Sequence, residues 1–364
     1  MFTIPICLLL LLVLAVYAFV QRPEFGKTAS GAQLDVYRKS THFFAGSFQN
    51  ASATPNLAED ANIWKVMYDF FFRKDPKSKP KNALPSEKTD LKALKHDENV
   101  LVWFGHSSYF IQMDGKKILV DPVFSGAASP IAATTRSFLG SDVYSADDFP
   151  EIDLLLITHD HWDHLDHKTI VQLRPKVKQV VTSLATGLHL QNWGYEPSMI
   201  AELDWWEHLY LTNGFKIYAT PARHFAGRGL KRNKAFWNSY VLETPSRRLF
   251  LGGDSGYDTH FKEIGDKFGP FDLAVMECGQ YNTAWKYIHM LPGQWLKTAQ
   301  DLRTKAVLPV HWGKFSLALH AWDEPIEKIS QEFTSSDIAL WTPMIGEKVD
   351  FDNLLPFAKW WKNL

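Results

Sequence analysis

The chain has 364 residues, 46% hydrophobic and 22% charged, with a formal net charge of −1 at neutral pH. That composition, with 14 Trp and 25 Phe to fill a large core, is globular, and the near-neutral charge argues against nucleic acid as the main partner. Its two cysteines, Cys7 near the N-terminus and Cys278 far from it, offer no disulfide framework and too few thiolates for a cysteine-based zinc site.

Residues 1–20 read as a membrane anchor or a signal. Thr3 to Val20 is an eighteen-residue stretch without a charge, which just reaches the length that spans a bilayer at ~1.5 Å per residue. A cleaved signal peptide is the alternative, with Val16, Tyr17 and Ala18 as the small-residue site. No Lys or Arg precedes the apolar run, while Arg22, Lys27, Arg38 and Lys39 follow it. That favours an uncleaved anchor with the remaining chain on the cytoplasmic side. Residues 21–98 form a lead-in. Apolar residues at helical spacing predict a helix over 61–72. The stretch 73–95 then carries eight Lys or Arg against three Asp or Glu, with three prolines. It reads as a solvated loop, or else as a basic surface that meets anionic lipid.

From residue 99 to 364 short apolar runs end in turn residues. Strands are expected at "VLVWFG", "SYFIQM" and "KILVDP", with a hairpin turn at 114–117, and then at "DLLLITH", "QVVTSL", "FKIYATPARH", "NSYVLET", "RLFLGGD", "DLAVMEC" and "AVLPVH". Helices are expected at 167–174, 184–192, 258–267 and 293–302. The aromatic run "DWWEHLY" (204–210) reads as a buried strand rather than a membrane-facing belt. No internal repeat is visible. Strands alternating with helices, plus hairpins, predict a layered α/β fold with mixed sheets.

The stretch "ITHDHWDHLD" (157–166) directly follows the apolar run "IDLLL". His159 and His161 are two apart and share one side of an extended chain. Asp163 and His164 follow as the chain turns. Asp166 is placed to cap the next helix and His167 to lie at the surface. Four candidate ligands in six residues are too dense for an ordinary core, where unpaired they would be costly. Neutral imidazole and ionised carboxylate suit a divalent cation such as zinc, and two ions could share the set. Further ligands must then come from other strand ends, and His224, Asp254 and His311 each close an apolar run.

The pattern His-x-His-x-Asp-His (159–164) with distant His224, Asp254 and His311 resembles the metallo-β-lactamase superfamily. "VLVWFGHSSYFIQMDGKKILVDPVFS", "PARHF", "LFLGGDSGY", "GPFDLAVMECGQY", "HMLP" and "LPVHWGKF" are similar to the branch containing N-acyl-phosphatidylethanolamine-hydrolysing phospholipase D and its bacterial relatives. The resemblance covers about residues 40–340 and implies a four-layer αββα sandwich with two mixed sheets, preceded here by the hydrophobic N-terminal helix. It assigns His159, His161 and His224 to one metal, Asp163, His164 and His311 to a second, and Asp254 to both. Zinc is the expected metal, with iron or manganese compatible with an all His/Asp set. Asp254, Asp163 and His289 are expected to serve catalysis, His289 as a phosphate contact or proton donor. His106 and Asp121 are expected to orient metal ligands. Gly252, Gly253 and Gly256 are expected to let their loop pass close to the ions.

The resemblance implies a membrane-associated phosphodiesterase that cleaves N-acyl-phosphatidylethanolamine-like phospholipids to phosphatidic acid and an N-acylethanolamine. It also suggests a homodimer. A lactonase or other carbonyl-centre hydrolase would use the same metals. A non-catalytic, membrane-anchored metal-binding protein is the third reading, against which the complete ligand set argues.

Overall fold

The computed structural model describes residues 3–362 and 364; Met1 and Phe2 of the expected N-terminal segment, and Asn363, lie outside the described residues. The lead-in folds as α1 (Thr3–Val20), α2 (Gln33–Tyr37), a two-stranded pair β1 (Phe43–Phe44) and β2 (Ser47–Phe48), and α3 (Ile63–Phe72). Helix α3 starts where the Asn62 side chain accepts from the backbone N–H of Trp64 and Lys65, at 2.9 and 3.2 Å. The leucine-rich stretch is helical as expected, and Leu8 to Leu14 are all exposed. Among the described residues no helix is long and apolar enough to cross a membrane.

The first half of the remaining chain gives β3 (Val100–Trp103), β4 (Tyr109–Met113), β5 (Lys116–Val120), β6 (Leu154–Ile157), α4 (His167–Leu173), β7 (Val180–Ser183), α5 (Gly187–Asn192) and β8 (Ile200–Leu203). The second gives β9 (His208–Tyr210), β10 (Lys216–Thr220), β11 (Ser239–Glu243), β12 (Arg248–Leu251), α6 (His260–Phe268), β13 (Leu273–Glu277), α7 (Trp295–Leu302), β14 (Ala306–Val310), α8 (Glu324–Glu332), β15 (Ala339–Leu340) and β16 (Lys348–Asp350). Two seven-stranded sheets result, ordered β16-β3-β4-β5-β6-β7-β8 and β15-β14-β13-β12-β11-β10-β9. In each, an antiparallel portion leads into parallel strands, at β5 in one sheet and β12 in the other.

Alternation along the strands sets the layers. Leu101, Trp103, Leu154 and Leu156 join Ile217, Ala219 and Phe250 of the other sheet in one core. The alternate residues Val102, Leu155 and Ile157 pack with Ile170 and Leu173 of α4. Strand β6 is therefore buried on both faces, which is why "LLLI" shows no polar alternation. Phe261 of α6, Trp295 of α7 and Ile326 of α8 cover the second sheet. The "DWWEHLY" run differs from its expectation. Its strand, β9, holds only His208–Tyr210 at the sheet edge with Tyr210 exposed, while Trp205 is buried in the turn before it.

The lead-in is stitched to the sandwich. Tyr37 Oη donates to Glu202 at 2.9 Å, and Ala58 N–H to the Ala284 carbonyl at 2.8 Å. Asn50 spans both directions with His224: its Nδ2 donates to the His224 carbonyl at 2.7 Å, and its Oδ1 accepts from the His224 N–H at 3.1 Å.

Candidate metal centre

Parallel strands deliver their C-terminal ends to one edge of the sandwich. His159, His161, Asp163 and His164 lie on the loop after β6, His224 lies after β10, Asp254 after β12 and His311 directly after β14. The fold draws them into two groups. His159, His161, His224 and Asp254 form one; His106, Asp163, His164 and His311 form the other; within each, the ligand atoms lie within 4.8 Å of one another.

Asp254 stands between them. Its Oδ2 faces His159 Nε2 at 3.9 Å and His224 Nε2 at 3.6 Å. Its Oδ1 faces His164 Nε2 at 3.2 Å and His311 Nδ1 at 3.0 Å. Buried His161 Nε2 and His164 Nε2 have no hydrogen-bond partner among the described residues. Such orphaned nitrogens are rare in a native interior, and a cation gives them their partner. The donor set fits a metal pair.

Further side chains hold the imidazoles. Asp121 accepts at Oδ2 from Thr158 Oγ1 at 2.6 Å and pairs with His164 Nδ1 at 2.7 Å. His106 Nε2 meets Asp163 Oδ2 at 2.8 Å, and His224 Nδ1 lies 2.9 Å from the Ile288 carbonyl. His106, Asp121 and His311 all have left-handed backbones, with φ of 53°, 41° and 68°. A left-handed backbone is uncommon for any residue with a side chain and recurs where geometry is imposed for function.

Electrostatics sort the groups. Burial pushes His159, His224 and His311 well below the ordinary histidine range, leaving them neutral with a lone pair to donate. Burial also opposes charge on His164, but Asp254, Asp163 and Asp121 outweigh it and raise its pKa well. Burial would raise Asp254, yet His164 and His311 hold it well below the carboxylate range. Neutral imidazoles beside ionised carboxylates are the donors a divalent cation takes.

His289 lies at the rim of this centre. Its Nδ1 meets Glu277 Oε2 at 2.6 Å, while Glu277 Oε1 accepts from the Met290 N–H at 2.7 Å. Burial raises the Glu277 carboxyl to about 7. Burial opposes a proton on His289, but Glu277 overcomes it and lifts the imidazole to about 9. A cavity of about 310 Å³ opens onto the centre, lined by Ile63 and Val66 of α3 and by Phe225, Arg232, Trp285 and His289. A cavity of about 420 Å³ lies at the opposite end, where β5, β6 and β7 begin, away from these groups.

Two expectations, for Asp166 and His167, need correction. Asp166 occupies the N-cap position of α4 without capping it. Its carboxylate instead ties Thr169 Oγ1 (2.5 Å) to the Ser125 N–H (2.9 Å), bracing the loop after β5. Gly253 and Gly256 make room for neighbouring protein atoms. A Cβ on Gly253 would stand 2.9 Å from both the Asn238 carbonyl oxygen and Thr158 Cβ, and one on Gly256 would collide with the Tyr287 carbonyl. His167 is half-buried against the Trp193 ring, 4.9 Å away, rather than open on the surface.

Sequence reasoning missed Asn50, Glu277, Ser107 and the strap formed by Arg228. Ser107 Oγ lies 2.9 Å from His311 Nδ1. Buried Arg228 donates to the Asp160 and Leu165 carbonyls at 2.9 and 2.6 Å and lies over the Trp162 ring, clamping the loop. Glu277 alone carried a signal, since it closes an apolar strand as Asp254 and His311 do.

Residues 116–312 match the Beta-lactamase superfamily domain model. That is over half the chain, and the chain belongs to this superfamily, with a fold and clusters of a metal-dependent hydrolase. It is 32% identical over 331 residues to an uncharacterized protein of Mycobacterium tuberculosis, covering 90% of this chain and 89% of that one. It is 30% identical over 315 residues to N-acyl-phosphatidylethanolamine-hydrolyzing phospholipase D 1 of Caenorhabditis elegans, covering 78% and 84%. The fold is similar to the solved structure of Igni18, a metallo hydrolase from Ignicoccus hospitalis, with a TM-score of 0.54 and 19% identity over 70% of this chain and 98% of that one.

Proposed function

We propose that this protein is a phosphodiesterase of phospholipase D type, acting at a membrane on N-acyl-phosphatidylethanolamine-like phospholipids. The observation that carries the reading is Asp254, which offers one oxygen to each of two histidine groups. His159, His161 and His224 would hold one cation, Asp163, His164 and His311 the second, and Asp254 both. The bound pair would supply hydroxide near neutral pH and offset charge developing on the phosphoryl oxygens. Zinc suits these donors best.

The chain's own residues do the rest. Asp121, Thr158 and Ser107 fix the ring planes, so the donors need no rearrangement as charge builds. His289, aimed by Glu277, would deliver a proton to the departing alkoxide oxygen. Phe225, Trp285, Ile288 and Leu317 give the cavity apolar walls, which suits a lipid better than a small polar ester. The similarity to the Caenorhabditis elegans phospholipase supports this substrate class. The exposed leucines of α1 support attachment to a membrane.

The test is a substrate panel on metal-reconstituted protein. Phosphatidic acid release from N-acyl-phosphatidylethanolamine, at rates well above lactone hydrolysis, is the expected result. Lactone or thioester turnover without phosphatidic acid would instead assign the centre to carbonyl chemistry.

A further inference from the structure

We infer that α3 is an interfacial docking helix, which sets the mouth of the metal cavity against an anionic lipid surface. The inference names the partner of the proposed phospholipase centre and so rests on that reading. Every side chain of α3 is exposed or half-buried, which is unusual for a helix so apolar. Trp64, Tyr68, Phe71 and Phe72 follow i, i+4, i+7 and i+8 spacing and are 75%, 52%, 66% and 74% exposed. The opposite side carries Ile63 and Val66, which line the cavity. One short helix thus has one face in the substrate route and an aromatic face turned outward.

The surroundings choose the occupant. Lys65 of α3, Arg73 at its end, and Lys77, Lys79 and Lys81 in the segment that follows are exposed, against half-buried Asp69 and Asp75, and Arg73 lies over the Tyr68 ring. Aromatic side chains rimmed by cations match an anionic bilayer surface. A second copy is the poorer fit, because a two-fold contact sets a patch against itself and would bring these cations face to face. The other exposed apolar element meets the loop that carries metal ligands. At the C-terminal end of α1, Phe19 packs on Phe25 (5.3 Å between centroids) and Phe25 on Trp162 (5.1 Å), within the loop that carries His161 and Asp163. That loop's His161 and Asp163 line the cavity together with Ile63 and Val66 of α3.

The experiment uses the full-length, metal-loaded protein with vesicles of phosphatidylcholine and phosphatidylglycerol. Brominated lipid is expected to quench a component of the tryptophan emission that the variant Trp64→Phe lacks. In the variant Trp64→Ser/Phe71→Ser/Phe72→Ser, the ratio of turnover on vesicles to turnover on a dispersed short-chain phosphodiester is expected to fall about tenfold or more. That is the scale for withholding one large apolar side chain from lipid. Equal quenching in Trp64→Phe and the native chain, or an unchanged ratio, overturns the inference. So does a native dimer that the triple variant converts to monomer without any Trp64-dependent quenching, since the face would then bind a second copy. If no phosphodiester is turned over, the phospholipase reading fails, while the quenching result still decides whether α3 meets lipid.

Discussion

The two halves of the sandwich reach the same centre by different routes. The first supplies His159, His161, Asp163 and His164 from six consecutive residues of the loop after β6. The second supplies His224, Asp254 and His311 one at a time, from the ends of β10, β12 and β14. A compact loop ties its donors together locally, so its geometry depends on caps and clamps such as Asp121 and Arg228. Dispersed donors depend on strand register across a whole sheet. Asp254, from the dispersed set, is nevertheless the residue that faces both groups.

The largest expected effect comes from breaking that joint. Asp254→Asn keeps the shape but removes the charge shared by His164 and His311. Turnover should drop by about three orders of magnitude, and metal analysis of the variant should show fewer bound ions than the native chain. Near-native turnover with full metal content would separate the two halves functionally.

Next is the brace of the compact loop. Asp121→Asn disturbs both Thr158 and His164 and should cost about 10–100-fold in metal affinity or activity. A competition titration with a chelator reads the affinity directly. In the second half, Glu277→Gln should lower kcat about tenfold or more while KM changes little if, as proposed, Glu277 acts through His289 on proton delivery. Partial recovery in Glu277→Asp would mark the role as orientation; a change in KM alone would place the pair in substrate binding.

The smallest effect concerns stability. Burial lowers His260, at the start of α6, from its ordinary value to about 3. The unfolded chain therefore takes up a proton between pH 6.5 and 3 that the folded chain refuses. The stability it contributes is complete above pH 6.5 and is lost as pH falls, by up to about 1.4 kcal/mol per pH unit. The fall in Tm over this range should be shallower in His260→Gln than in the native protein.

What could be read in advance follows the same division. Four donors in six residues announce themselves because their density alone is costly without a ligand. His224, Asp254 and His311 were legible because each closes an apolar strand. Glu277 has that signature but precedes Cys278, another buried residue, which masks the strand end. Asn50 and Arg228 were beyond reach, since their partners lie 174 and 63–68 residues away. Helix ends shifted by up to three residues, as at α5, which begins at Gly187 rather than 184. Strand β8 was missed because its residues are half-buried at a sheet edge, which weakens the apolar signal.

The most direct test is anomalous diffraction from crystals of the metal-reconstituted protein, collected at the zinc edge. Two peaks about 3.5–4 Å apart, one beside His159, His161 and His224 and the other beside Asp163, His164 and His311, with Asp254 touching both, is the predicted result. A single peak, or none, in fully reconstituted protein would contradict it.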